Sequence, residues 1–229
     1  MAIVPRLARA MLPASAMLLG AALASLYAQI TLKNMSLGPE AARKCAERGD
    51  ADCQAKLGWF YEDGGDGVEE DHPQAIKWYR RAAEQGLIAA QMALAATYEG
   101  GYHVPQDYAE AAKWYQAAAE RGDIDGQRKI AYFYWMGKGV PRDLVRAHMW
   151  ANLHAAGEQS RYQDNIRAVN AGPGTPKEKE DVVTILKSSR PELVRLAIET
   201  RTLIEQEMTQ AQIADAQRLA REWEPIKGR

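Results

Sequence analysis

Apolar side chains recur at helical spacing through the middle of the chain, and the pattern returns at near-constant intervals. Three pairs of apolar residues are each four positions apart: Leu57 with Tyr61, Leu94 with Tyr98, and Ile130 with Tyr134. Residues four apart lie on one face of an α-helix, so each pair predicts a helix that buries that face. Glycines follow each pair and predict the end of this first helix.

A second helix is predicted after each of these glycine-containing loops. An aspartate stands where a helix N-cap accepts hydrogen bonds from first-turn amides, at Asp71, Asp107 and Asp143. Tryptophans follow at a fixed distance, at Trp78, Trp114 and Trp150, each 36 residues from the next. Two helices in a unit of this length predict an all-α solenoid, in which each unit buries its apolar face against its neighbours. We therefore interpret the tryptophans and aspartates as structural repeat positions.

The motif of these units resembles a known repeat family. The second unit shows the motif in three parts, at Ala90–Gly101, Val104–Asp107 and Ala111–Gly122. These parts follow the patterns A-x-x-x-L-x-x-x-Y-x-x-G, G-V-x-x-D (from its valine onward) and A-x-x-W-Y-x-x-A-A-E-x-G. The motif is similar to that of the Sel-one-like repeat (SLR) family, relatives of the tetratricopeptide repeats. The resemblance implies a right-handed α-solenoid of antiparallel helix pairs, with three repeats at about 51–87, 88–123 and 124–157.

Segments outside the repeats predict capping elements. Residues 38–50 resemble the second half of a unit and are expected to form an N-terminal capping helix. Residues 203–229 resemble the closing helix of the family, and Thr209 with Gln212 has the spacing of a capping box. Residues 158–202 form an insert whose packing the sequence leaves open.

Within the insert, two features predict where helices end and begin. The cluster Ala171–Pro176 contains two glycines and two prolines and predicts a break. Residues 177–189 follow as an expected charged helix, and Pro191 is suited to the first turn of the next one.

The two cysteines, Cys45 and Cys53, are eight positions apart. On one continuous helix their Cα atoms would be about 12 Å apart, whereas a disulfide needs roughly 4.4 to 6.8 Å. A bond therefore requires a turn, which Gly49 can supply, and two separate buried thiols are the alternative. The resemblance to the cysteine-rich secreted branch of the family implies a pair that links adjacent helices.

The N-terminal sequence predicts export. Arg6 and Arg9 precede an uncharged stretch over 10–32, and the small residues of Ala22-Leu23-Ala24 fit a signal-peptidase site. We expect residues 1–24 to be a cleaved signal peptide, with an uncleaved anchor extending to residue 32 as the alternative. The expected location is periplasmic or secreted, or anchored to the inner membrane.

Charge and motifs exclude several functions. The 29 basic and 30 acidic residues give a net charge of −1, which predicts no nucleic-acid binding. The loop from Asp63 to Asp71 lacks the order of ligands of a calcium-binding EF-hand, and the four histidines include no pair four apart. The chain carries no S-x-x-K, no phosphate loop and no G-x-S-x-G. We predict no metal, no cofactor and no catalysis; penicillin binding or β-lactam hydrolysis, as in some cysteine-rich relatives, is the unfavoured alternative.

Three aromatic residues, Trp59, Tyr132 and Trp135, flank the predicted packing pairs, where packing does not demand large rings. Exposed aromatic residues are frequent at binding hot spots, so we predict that these three line a groove for a partner peptide. The alternative is that the capping segments cover them. The function that follows is a non-catalytic periplasmic scaffold for another protein or peptide, with a membrane-tethered regulatory or assembly subunit as the second hypothesis.

Overall fold

The computed structural model describes residues 37–101, 103–172, 175–177, 180 and 191–226, and for residues 191 and 192 the backbone alone. These residues form helices joined by turns, and none of them lies in a strand. The prediction of an all-α solenoid of helical repeats is confirmed. The predicted signal peptide or anchor, residues 1–24 or 1–32, lies outside the described residues.

The helices of the described residues follow one another along the chain with short connections. They are α1 Pro39–Glu47, α2 Ala51–Asp63, α3 His72–Glu84, α4 Ile88–Gly100, α5 Tyr108–Glu120, α6 Ile124–Met136, α7 Leu144–Ala171, α8 Pro191–Glu205 and α9 Gln210–Glu222. Two compact units divide near the end of α5, between Ala118 and Ala119. No helix of the described residues combines the length and apolar character needed to cross a membrane.

Aspartates begin the second helix of each repeat, as the sequence predicts. The Asp71 carboxylate accepts from the amide of Gln74 at 2.9 Å, and Asp143 does the same for the amide of Arg146 at 2.9 Å. Asp107 accepts from two amides at the start of α5. Each bond satisfies a first-turn amide that has no partner within the helix.

In the first unit, α1 packs on α2, α2 on α3 and α3 on α4. Cys45 of α1 and Cys53 of α2 form a disulfide with their Cα atoms 5.8 Å apart. Gly49 has φ +96 in the intervening turn, a conformation that glycine adopts without steric cost. The end of α1 thus packs with α2 around a small core that contains Cys53 and Leu57 and contacts the half-buried Trp78.

The other two repeat tryptophans are fully packed. Trp114 is 5% exposed and Trp150 is 4% exposed. Their small neighbours Ala111 and Ala147, one turn earlier, have no exposed surface. The interpretation of Trp114 and Trp150 as buried structural positions agrees with this geometry.

In the second unit, α7 is the element on which α6, α8 and α9 all pack. It runs without interruption for 28 residues, so the boundary predicted at 157 falls inside a helix. Gly157 lies at this boundary, and a Cβ there would be 2.9 Å from Ile124. This glycine permits close packing and does not end the helix.

Two predicted features of the C-terminal part are confirmed. Helix α9 begins with a complete capping box between Thr209 and Gln212. Helix α7 ends at Ala171, where the break was predicted. Helix α8 is described from Pro191 onward, directly after residues that lie outside the described ones, so the predicted start at Pro191 stays a prediction. Of the predicted helix over 177–189, nearly all lies outside the described residues.

Candidate functional site

The first residue of the predicted groove, Trp59, is buried in α2. It is 9% exposed, and its ring contacts that of Phe60 at a centroid distance of 5.1 Å. The ammonium of Lys56 lies 4.0 Å from the Trp59 ring centroid, and burial lowers the pKa of this lysine. The prediction that Trp59 is exposed is therefore wrong, because α2 is buried over most of its circumference.

Trp135 is also buried, at 3% exposure. Its indole N–H donates to a carboxylate oxygen of Glu207 at 2.7 Å, and its backbone carbonyl accepts from Arg142 at 2.9 Å. The Arg142 guanidinium also binds the second oxygen of Glu207. The expectation of an exposed ring is wrong here too, because the turn after α8 covers this position.

Tyr132, the third predicted residue, is half-buried on α6. Its ring meets that of Phe133 edge-on at 6.3 Å, and the Lys138 ammonium lies 5.8 Å from its centroid. Of the three aromatics, Tyr132 alone keeps a substantial exposed surface. Tyr132 and Trp135 share α6 in the second unit, while Trp59 belongs to the first.

The position of Trp135 belongs to a repeated pairing that the sequence analysis missed. In the first repeat the Tyr79 hydroxyl donates to Glu62 at 2.6 Å, and in the second the Tyr115 hydroxyl donates to Glu99 at 2.7 Å. Each pair joins the two helices of one repeat. Burial and the neighbouring carboxylate raise the pKa of Tyr79, which keeps its hydroxyl protonated as a donor. The 36-residue spacing of Tyr79 and Tyr115 is the feature of the sequence from which this repeated pairing could have been predicted.

Buried glutamines make a second repeated contact. The Gln54 amide donates to the carbonyl of Ala46 at 3.2 Å, and the Gln91 amide donates to that of Ala83 at 3.0 Å. Both acceptors lie near the end of the preceding helix, and each also accepts from a glycine amide in the following turn. Each glutamine therefore joins the end of one helix to the start of the next. The signal was a glutamine column at 54, 91 and 127, which the sequence analysis did not use.

The two histidines of α7, His148 and His154, are buried. His148 has no exposed surface, and its Nε2 lies 2.7 Å from a carboxylate oxygen of Glu205 on α8. Arg201, also on α8, donates to Asn152 of α7 at 3.2 Å. These polar contacts fix α8 on α7, so this part of the insert is packed in the second unit.

His154 is buried and neutral. Its Nδ1 donates to the carbonyl of Ile124 at 3.1 Å, since a carbonyl can only accept. Burial, with the nearby charge of Arg128 as the second cause, lowers its pKa to about 4. A bound proton would place a charge in an enclosed site, which is costly.

Among the described residues, no group of three or more histidine, cysteine or acidic side chains could hold a metal ion. His72 and His103 lie close together, and their rings are stacked with centroids 3.3 Å apart.

The segment after α9 continues as an extended chain across the second unit. The Trp223 ring meets that of Trp150 edge-on, with centroids 5.8 Å apart and planes at 73°. Pro225 lies over Gly122, since a Cβ on that glycine would be 3.5 Å from the proline Cβ. The amide of Ile226 donates to the carbonyl of Glu120 at 2.7 Å. The extended segment Trp223–Ile226 therefore binds across α5 and α7 of the same unit.

These contacts define an α-helical repeat protein in which buried side-chain hydrogen bonds join neighbouring helices. The Sel1 repeat model matches residues 51–87, 88–123 and 124–156. A Sel1 repeat protein from Oxalobacter formigenes with a known crystal structure is 35% identical, over 54% of this chain and 95% of that one, with a TM-score of 0.48. The chain belongs to the Sel1 repeat family.

A second similar structure is that of c5321, a protective antigen present in uropathogenic Escherichia coli strains that displays an SLR fold. It is 25% identical, and the match covers 81% of this chain with a TM-score of 0.45. The chain spans 40% of the length of that protein. No protein with a curated description matches the sequence. Sel1 repeats typically mediate contacts between proteins.

Proposed function

We propose that this protein is a non-catalytic scaffold that binds another protein or peptide in the periplasm or as a secreted protein. The three Sel1 repeats carry the proposal, because repeats of this family typically serve protein–protein interaction. The polar side chains buried within the repeats support the non-catalytic part. Tyr115 is bonded to Glu99, and Gln91 to a backbone carbonyl, so these groups are engaged in holding helices together.

The disulfide supports a location outside the cytoplasm. Cys45 and Cys53 are bonded, and disulfides persist mainly in oxidising compartments. The sequence of residues 1–32, with Arg6 and Arg9 before an uncharged stretch, is typical of an export signal. Both observations favour a location outside the cytoplasm.

Crosslinking outside the cytoplasm tests the scaffold. Cells that carry the tagged full chain are treated with an amine-reactive crosslinker that does not cross the inner membrane, and captured proteins are identified by mass spectrometry. We expect the same partner in replicate captures and its absence with an equally abundant tagged export control. A capture indistinguishable from that control contradicts the scaffold.

N-terminal sequencing of protein from the envelope tests the export route. We expect the mature chain to begin near Ser25, after the Ala22-Leu23-Ala24 site. A chain that begins at Met1 or Ala2 and sediments with the inner membrane would instead support the membrane-tethered regulatory or assembly subunit.

A chromogenic cephalosporin and a labelled penicillin test the absence of catalysis. The purified full chain is expected to give neither turnover nor a covalent acyl adduct, with an authentic β-lactamase as positive control. Turnover that survives further purification, or a labelled band of the correct mass, would establish the hydrolase or penicillin-binding alternative.

A further inference from the structure

The extended segment Trp223–Ile226, which we name the strap, is bound in the manner of a peptide ligand. It contributes an aromatic ring to Trp150, a proline to Gly122 and one backbone amide to the carbonyl of Glu120. Side-chain anchors combined with a main-chain hydrogen bond are the usual elements of extended-peptide recognition. The surface that the strap contacts, formed by Glu120, Gly122 and Trp150, is named the seat.

The seat is complete without the strap's own helix. Glu120 is the last residue of α5, and its carbonyl accepts from the Ile226 amide. Gly122 has φ +87, which favours glycine and leaves the floor of the seat without a side chain. Trp150 belongs to α7 and is 4% exposed with the strap in place. The seat thus offers one acceptor, one open backbone surface and one aromatic ring.

Most of the strap is exposed to solvent. Glu224, Pro225 and Ile226 are exposed, with Ile226 at 53%, and Trp223 is half-buried. Helix α9 has its own packing on α7, so it can remain in place when the strap leaves. The strap can therefore be exchanged without unfolding the helix before it.

We propose that the seat is a binding site for an extended segment of a partner protein that carries an aromatic residue followed two positions later by proline. The strap is then an internal ligand that occupies the seat until such a segment displaces it. This proposal rests on the proposed scaffold function and names the class of partner and its regulation. An aromatic is required because the Trp150 ring would otherwise lose the cover that Trp223 provides.

If the strap competes for the seat, the wild-type chain and a variant with a weakened strap should bind an added peptide with different affinities. A tethered segment acts at an effective concentration on the order of millimolar, so the full chain conceals its own seat. The double variant Trp223→Ala with Pro225→Ala removes both side-chain anchors of the strap. The probe is a fluorescein-labelled peptide with the sequence of residues 221–229, titrated into each protein and followed by fluorescence anisotropy.

We expect the peptide to bind the double variant at least tenfold more tightly than the full wild-type chain. The matched control peptide, with alanine in place of its tryptophan, is expected to lose that binding. Equal affinity for the two proteins, or no binding to a variant that melts cooperatively, overturns the proposal. A wild-type dimer that dissociates when the strap is altered also overturns it, because the occupant of the seat would then be a second copy.

A second variant covers the case in which the double variant fails to fold. Ile226→Pro removes only the amide donor to Glu120 and keeps the Trp223 contact, so its peptide affinity is expected to rise by a smaller factor. No rise in that variant also counts against the proposal. If the peptide does not bind while crosslinking of wild-type protein still captures a reproducible partner, the proposed scaffold function is supported and the proposed role of the strap is contradicted.

Discussion

The indole N–H of Trp135 donates a hydrogen bond of 2.7 Å to Glu207, a residue 72 positions later in the chain. In the first two repeats the same position is a glutamate that accepts from a tyrosine of its own repeat. The third repeat has tryptophan in place of the glutamate and Ala151 in place of the tyrosine. In the third repeat the large Trp135 ring stands opposite the small Ala151 position, and the carboxylate that binds the indole comes from Glu207, outside the repeats.

This geometry predicts that Trp135→Ala lowers the free energy of unfolding by about 3 to 5 kcal/mol, the usual cost of emptying a buried aromatic site. Trp135→Phe is the matched control: it keeps a ring and loses the hydrogen bond, so a smaller cost of about 1 to 3 kcal/mol is expected. Urea unfolding at neutral pH measures both. An unchanged stability for the alanine variant, with weakened partner binding, would restore the exposed-aromatic hypothesis.

Trp114→Ala is expected to cost about 3 to 5 kcal/mol for the same reason, because this ring is 5% exposed. Trp78 offers a comparison within the same column of the repeat. It is half-buried, with the Arg81 guanidinium 4.6 Å from its ring centroid, so Trp78→Ala is expected to cost less. Equal melting temperatures for Trp114→Ala and wild type would contradict the packing described here.

The sequence predicted the features that repeat and missed those that depend on distant segments. Asp71 and Thr209 act within three residues of themselves, so cap rules identify them. Trp135 follows the packing residue Tyr134, and its burial depends on Glu207, whose position no local pattern specifies. The glutamine and tyrosine columns could have been read from their spacing, but a buried polar residue is identified only when its partner is known.

The disulfide predicts resistance of both thiols to alkylation. In native protein purified without a reductant, neither Cys45 nor Cys53 is expected to react with iodoacetamide before reduction. The double variant Cys45→Ala with Cys53→Ala is expected to lose about 2 to 3 kcal/mol of unfolding free energy, the loss expected for so short a closed loop. Cys53→Ala alone supplies the control, since it leaves one thiol free to label. Labelling of either thiol in the unreduced wild type would show that the bond is absent.

His154 predicts an acid-sensitive contribution to stability. Its pKa is lowered from 6.5 to about 4 in the folded protein, so between these values the unfolded chain binds more protons. Stability from this group therefore rises with pH across that window and falls as the solution is acidified. At about 1.4 kcal/mol per pKa unit, acidification from pH 7 to pH 4 is expected to remove up to about 3 kcal/mol.

The variant His154→Gln isolates this contribution, because glutamine does not titrate and can still donate to the Ile124 carbonyl. Urea unfolding at pH 7 and pH 4.5 is expected to show a smaller loss for the variant than for wild type. Parallel losses in His154→Gln and wild type would indicate that another group causes the acid sensitivity.

The exchange of glutamate for Trp135 bears on how such a chain can lengthen during evolution. Duplication of the second repeat would copy Glu99 together with Tyr115, so the copy would keep this hydrogen bond within itself. Duplication of the third would copy Trp135 without Glu207, and the new indole N–H would be buried with no acceptor of its own. The array can gain units in its interior, whereas its last unit is specialised for the end.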